Sequence, residues 1–118
     1  MIRFVLALTA LLSVGGCGSG TEDLVRAAAD GFTSAAAAGD TDRACSLLTE
    51  RAREDVDCSS LDVPGEPVRE VEVWGDAARA VTDGDVLFLR ETSAGWRVAG
   101  AGCAPRGERP HECAVGGR

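Results

Sequence analysis

The sequence predicts an α+β domain in which two N-terminal helices pack on a four-stranded antiparallel curved sheet. Two observations predict this class. Between about residues 22 and 53, apolar residues recur every three to four positions, which is typical of amphipathic helices. From residue 68 onward, apolar and polar residues alternate, which is typical of strands with one buried face.

A short apolar segment precedes this domain. Arg3 supplies a positive charge, and the apolar run from Phe4 to Leu12 follows it, as in a signal peptide. A helix that crosses a bilayer needs about 20 apolar residues, so this run is too short to be a membrane anchor. We therefore assign residues 1–16 to a signal peptide.

The motif at residues 14–17, Val-Gly-Gly-Cys, resembles the lipobox of bacterial lipoproteins. The resemblance implies cleavage between Gly16 and Cys17 and acylation of Cys17. An ordinary signal peptide, with Cys17 in a disulfide, is the alternative. The lipoprotein interpretation makes residues 17–21 a lipidated cysteine with a flexible tether, and residues 22–118 a single domain.

The cysteine count favours lipidation. The chain has five cysteines, and an odd number in a secreted protein leaves one unpaired. If Cys17 carries lipid, the other four suit two disulfides in an oxidising compartment. Three connectivities are possible, and loop-closure entropy favours the local pairs Cys45–Cys58 and Cys103–Cys113. No C-x-x-C pair is present, so we predict no metal site.

The two helices have recognisable ends. The first is expected from Glu22 to about Ala38, with Ser19 as its cap. Gly39 suits the left-handed conformation that often follows a helix. Asp40 can cap the second helix, which is expected from Thr41 to about Arg53.

Four strands are expected after these helices, at about residues 68–74, 78–82, 85–91 and 96–102. Asp83-Gly84 between two of them predicts a hairpin with a type I′ turn. Carboxylates at Asp83 and Asp85 raise the alternative of calcium, but calcium takes six to eight oxygen ligands and this turn offers too few.

The order of helices and sheet looks like that of small NTF2-like (cystatin-like) domains. The segments 73–78, 95–99 and 101–113 are also similar to small actinobacterial lipoproteins, a group with no activity to transfer. NTF2-like enzymes such as ketosteroid isomerase place a carboxylate or a histidine in a conical pocket. Here the single histidine, His111, lies in the tail and tyrosine is absent. We therefore predict no enzyme activity and no cofactor.

Three residues are candidates for contact with a partner. By strand parity, Trp74 lies on the second face of the sheet, where a partner can dock, but a bulge near Gly75 would turn it inward; we favour packing, with partner contact as the alternative. Arg106 and Arg109 lie in a proline-bounded loop that the Cys103–Cys113 bridge would close, and a basic loop on an acidic protein is a candidate contact. Trp96 is expected in the core.

Charge excludes some partners. The net charge is −7 and all twelve basic residues are arginine, so nucleic acid is not expected as a ligand. Anionic headgroups would repel this surface, so attachment to the outer face of the cytoplasmic membrane would depend on acyl chains on Cys17.

Two functions follow from these observations. The first is a non-catalytic interaction or structural module with an envelope protein as partner. It predicts a filled cone between helices and sheet and an exposed aromatic patch. The alternative is a small-molecule-binding domain, which predicts a dry pocket in that cone.

Overall fold

The computed structural model describes residues 17–106 and 109–116, with side chains described at 20–103 and 113–116. Its elements are α1 (Cys17–Ala37), α2 (Thr41–Ser46), α3 (Glu50–Glu54), a 3₁₀ turn (Cys58–Ser60), β1 (Glu70–Trp74), β2 (Ala77–Val81), β3 (Val86–Thr92), β4 (Gly95–Arg106) and β5 (Arg109–Gly116). The described part of the chain therefore has the predicted α+β class, with a fifth strand and a divided second helix as additions.

The sheet is an antiparallel meander in the order β1-β2-β3-β4-β5. The fifth strand corrects the prediction of a loop between the last two cysteines. Cys103 and Cys113 lie directly opposite each other on β4 and β5, so the disulfide staples a long hairpin. A register shift between Ala104 and Arg106 accommodates the proline-containing stretch that the sequence analysis assigned to a loop.

The first helix is longer than predicted. It begins at Cys17 and so includes residues 17–21, for which the sequence predicts a tether and a cap at Ser19. Extending a helix that is already nucleated adds one hydrogen bond per residue, which offsets the low helix propensity of the glycines. Gly39, with φ of 71°, follows the helix as predicted.

The predicted second helix is interrupted at residues 47–49. Asp40 caps α2 by accepting a hydrogen bond from the Arg43 N–H, as expected. The chain then forms an isolated parallel bridge: the Val98 N–H donates to the Leu47 carbonyl at 2.7 Å, and the Thr49 N–H donates to the Val98 carbonyl at 2.8 Å. These bonds replace helical ones, and the Thr49 hydroxyl caps the new helix α3 through the Ala52 N–H.

One face of the sheet packs on the helices and forms the core. The core residues from the helical half are Val25, Ala29, Phe32, Ala35, Ala44, Cys45, Leu48 and Ala52, and those from the rest of the chain are Val68, Ala78, Ala80, Leu87, Leu89, Trp96, Val98, Ala101 and Val115. Alanine makes up a large part of this set, because α1 and the sheet approach closely. We call the side of the sheet that faces α1 the inner face, and the other side the outer face.

Polar groups on α1 also hold the segment before β1. The Asp30 carboxylate accepts a hydrogen bond from the Val68 N–H at 3.0 Å, and the Arg26 guanidinium donates to the Val68 carbonyl at 3.2 Å. Both backbone groups of Val68 are thereby satisfied at the edge of the core. Thr33 on the same helix is 2% exposed, and its hydroxyl donates a hydrogen bond to the Asp30 carbonyl.

The hairpin between β2 and β3 differs from the predicted type I′ turn. Strand pairing ends at Val81 and Val86, and Gly84 is not among the glycines with positive φ. The reason is Asp85, which is only 5% exposed and turns its carboxylate toward β4. That carboxylate accepts hydrogen bonds from the N–H groups of Gly102 at 2.9 Å and Cys103 at 2.8 Å.

Two disulfides close local loops, as the sequence favoured: Cys45–Cys58 and Cys103–Cys113. The first joins α2 to the 3₁₀ turn, so the chain folds back after α3. Asp57 stabilises that turn: hydrogen bonds from the Ser59 hydroxyl and N–H, and from the Ser60 hydroxyl, hold the pKa of its carboxyl below the ordinary value. Each bridge contributes about 3 kcal/mol, mainly by restricting the unfolded chain.

Candidate functional site

The two tryptophans occupy opposite faces of the sheet. Trp96 lies on the inner face and is 4% exposed, as predicted. Trp74 lies on the outer face and is 56% exposed, so the packing that we favoured for it is wrong. Tryptophan is enriched at protein interfaces, so an exposed tryptophan on a sheet is a candidate contact residue.

Trp74 lines a groove of about 490 Å³, which we call the outer groove. Its remaining lining residues are Thr49, Arg51, Ala52, Asp55, Ala77, Ala78, Phe88, Leu89, Arg90, Ala99 and Gly116. Every strand of the sheet contributes at least one of them, and the rest come from α3 and from the residues on either side of it, Thr49 and Asp55. The groove therefore runs across the sheet, with α3 as one wall.

Small residues lie at both ends of the floor of the outer groove, with Phe88 and Leu89 between them. The tight β1–β2 turn, in which Gly75 has φ of 59°, places Trp74 directly opposite Ala77. At the other end, a Cβ atom on Gly116 would lie 2.0 Å from the Ala99 carbonyl oxygen, so only glycine fits there. Small residues on the floor and a large ring at one end produce a depression.

The wall exists because the second helix is interrupted. The bridge between Leu48 and Val98 attaches the chain to β4, and α3 starts immediately afterwards. Ala52 is buried against the sheet and is 3.3 Å from the position of a Cβ on Gly116. Arg51 on this short helix and Asp55, the residue directly after it, then line the groove.

Charge in the outer groove differs from the charge of the whole chain. Its ionisable lining residues are Arg51, Asp55 and Arg90, a local charge of +1 on a chain of −7. Arg90 forms an exposed ion pair with Asp76 at 3.4 Å. No acidic side chain in the described part of the chain lies within ion-pair distance of Arg51. Exposed pairs such as Arg90–Asp76 contribute little energy, so both guanidinium groups can accept a new partner.

The space between α1 and the inner face is filled instead. Phe32, Leu87 and Leu89 meet there, each at most 1% exposed. By strand parity, the side chains of Trp74, Ala77 and Arg90 lie on the outer face, so the groove that they line opens on the side of the sheet opposite the expected cone pocket.

Other candidate residues from the sequence are dispersed. Cys17 is the first residue of α1, and its side chain lies outside the described ones, as do those of Arg106, Arg109 and His111. Residues 1–16, with the predicted signal peptide and Gly16, are also outside the described residues. Arg106 pairs with Arg109 across the end of the β4–β5 hairpin, away from the residues that line the outer groove.

The carboxylates of Asp83 and Asp85 have different partners and do not converge on one site. The exposed Asp83 carboxylate pairs with Arg69, and this contact raises the pKa of the guanidinium above its ordinary value. Asp85 is buried and bonded to backbone N–H groups. Among the described residues, no group of histidine, cysteine or carboxylate side chains is arranged to hold a metal ion.

Sequence reasoning missed the wall of the groove and the role of Asp85. A signal for the wall was present: Thr49 followed by Glu50 and Ala52 is a plausible helix start inside a predicted helix. Nothing in the sequence pattern alone indicates that Asp85 faces β4, because the N–H groups that donate to its carboxylate lie 17 and 18 residues away.

Comparison of the chain with protein-family models, curated proteins and solved structures found no match. None of the helices within the described ranges combines the length and hydrophobicity that crossing a bilayer requires.

Proposed function

We propose that this chain is a lipid-anchored, non-catalytic binding module of the bacterial cell envelope, held at the outer face of the cytoplasmic membrane. The observation that carries the proposal is Trp74, exposed at the outer groove while the other tryptophan is buried. A large aromatic ring beside a groove is a typical anchor for a partner. The partner in this proposal is an envelope protein.

The cysteine pairing supports the proposed location in the cell envelope. Four of the five cysteines form two disulfides, which leaves Cys17 as the one available for a lipid. Disulfides in a small domain are typical of an oxidising compartment. Cys17 also occupies the position that the lipobox resemblance requires.

The finer fold assignment belongs to the same proposal. A long helix across one face of an antiparallel sheet is compatible with an NTF2-like cone. In this proposal, packed side chains occupy the place of the central pocket. Small-molecule binding remains a second candidate because of one observation: the volume of about 490 Å³ falls in the range of ligand pockets. Its ligand would occupy the outer groove and not the cone.

Intact mass spectrometry of the membrane fraction tests the proposed lipid anchor. We expect wild type to carry acyl chains on an N-terminal Cys17, and Cys17→Ala to lose both the lipid and the membrane association. Release of wild type to the medium with a free, unmodified N-terminus would contradict the anchor.

Crosslinking in intact cells tests the binding surface. We expect a crosslinked species of defined mass with wild type that is lost in Trp74→Ala. Leu24→Ala is the matched control, because among the side chains that the structure describes Leu24 is the other large hydrophobic one that is exposed, at 61%, and it lies on α1. A species equally reduced in both variants, or unaffected by Trp74→Ala, would argue against the groove as the contact surface.

A further inference from the structure

The shape of the outer groove limits what it can hold. Its lining residues come from all five strands, and neighbouring strands lie about 4.8 Å apart, so the groove is about 19 Å long. A volume of 490 Å³ spread over that length corresponds to a width of only about 5 Å. A long and narrow groove favours an extended chain over a compact ligand.

The chemistry of the groove changes from its β1 end to the middle strand, β3. Trp74 and Ala77 on β1 and β2 give one end an apolar surface. Arg90 lies directly opposite Ala77 on β3, and Arg51 approaches from α3. An aromatic ring at one end and guanidinium groups further along would match a ligand with an apolar group followed by a carboxylate.

The charges that line the groove favour a ligand with a negative charge. Arginine offers five N–H donors in a planar fork that fits a carboxylate, and Arg51 has no described acidic partner. Because the rest of the chain is strongly acidic, a carboxylate would be repelled over most of the surface and attracted at this groove. Asp55 opposes the attraction in part, so the expected affinity is modest.

We propose that the outer groove binds an extended acidic segment of a partner protein, about six residues long, with an apolar side chain on Trp74 and a carboxylate between Arg51 and Arg90. This inference rests on the proposed function, since it names the chemistry of the partner for the same surface. It commits to a peptide, and a small anionic molecule is an outcome that would overturn it.

The test uses the complete chain, purified with its disulfides closed in a nonionic detergent and labelled with ¹⁵N. The probes are two capped hexapeptides, one of the sequence Leu-Glu-Ala-Leu-Glu-Ala and one with both glutamates replaced by lysine. Phenylacetate, a small aromatic carboxylate, is the third probe. The two indole N–H signals report on each face of the sheet, Trp74 on the outer one and Trp96 on the inner one.

We expect the glutamate peptide to shift the Trp74 signal and to leave the Trp96 signal in place. Arg51→Gln should weaken binding by about tenfold, because it removes a charge-assisted hydrogen bond. Arg53→Gln is the matched control: Arg53 is exposed on the same helix α3 but does not line the groove, and its loss should change the dissociation constant less than about twofold.

Three results would overturn the inference. The lysine peptide could bind as tightly as the glutamate peptide, Arg53→Gln could weaken binding as much as Arg51→Gln, or neither peptide could shift the Trp74 signal at millimolar concentration. Binding of phenylacetate without peptide binding would assign the groove to small anions instead. A crosslinked species that depends on Trp74 would still support the binding module if the acidic peptide fails, so the two proposals fail separately.

Discussion

The two faces of the sheet are built from the same strands and behave differently. The inner face meets α1 and buries Trp96, whereas the outer face leaves Trp74 exposed beside a groove. Both tryptophans follow the strand alternation, so the difference comes from what covers each face. The long helix α1 packs on the inner face, whereas the groove on the outer face is lined by the short helix α3 and by the residues that flank it. Stability therefore resides on the inner face, and the outer face is available for binding.

The largest expected effect compares the two tryptophans directly. Trp96→Ala should reduce the free energy of unfolding by about 3 to 5 kcal/mol, because it opens a cavity in the core. Trp74→Ala should change it by less than about 0.5 kcal/mol, since the ring is mostly in solvent. Urea unfolding followed by circular dichroism measures both. Equal losses would mean that the outer face also carries the fold.

Asp85 gives the next largest effect. Asp85→Ala leaves the N–H groups of Gly102 and Cys103 without their acceptor inside the protein, and should cost about 3 kcal/mol. Asp83→Ala, on the exposed side of the same hairpin, should cost less than about 0.5 kcal/mol because it breaks only a surface ion pair with Arg69. Hydrogen exchange at Gly102 and Cys103 provides a second measurement: the two amides should lose protection in Asp85→Ala alone.

A smaller effect is expected at the edge of the inner face. Asp30→Ala removes the acceptor of the Val68 N–H and should reduce the free energy of unfolding by about 1 kcal/mol. Asp23→Ala on the same helix is the control, because Asp23 is exposed and its carboxylate accepts no hydrogen bond from the described part of the chain. If Asp30→Ala and Asp23→Ala reduce the free energy of unfolding equally, the hydrogen bond between Asp30 and Val68 does not stabilise the edge of the core.

The smallest effect concerns Asp57, which belongs to neither face. Its carboxyl has a pKa below 3.8 because the Ser59 hydroxyl is hydrogen-bonded to the charged form. A lowered pKa in the folded state adds stability above the unfolded pKa, and this stability is lost as the pH falls through the folded pKa. We expect a carbon-detected NMR titration to give Asp57 a midpoint below 3.8 in wild type and a higher one in Ser59→Ala. An unchanged midpoint would remove Ser59 as the cause.

Local patterns determined most of the elements. The alternation of valine and glutamate in β1, the turn at Gly75-Asp76 and the cap at Asp40 all involve residues within a few positions of one another, and each is present in the structure. The two disulfides also close loops of 13 and 10 residues, so their pairing followed from proximity along the chain.

Contacts between distant segments decided the rest. Residues 47–49 have a helical pattern, but hydrogen bonds to Val98, some 50 positions later, divide the helix and place α3 beside the sheet. Asp85 reads as a turn residue and is instead an acceptor for β4. The segment beyond Gly102 has the pattern of a loop because of its prolines. It instead forms the end of β4 and the strand β5, which pair with each other.

The sequence by itself indicated the class of fold, favoured the observed cysteine pairs and, by parity, placed Trp74 on the second face of the sheet, because strand parity and loop length are local properties. Only the tertiary structure decided that Trp74 is exposed and that Arg51 and Arg90 line one groove with it. Whether a face is covered depends on which helix reaches it, and that choice is made by backbone hydrogen bonds between segments far apart in the chain. Parity assigns a face, and packing decides whether that face is core or binding surface.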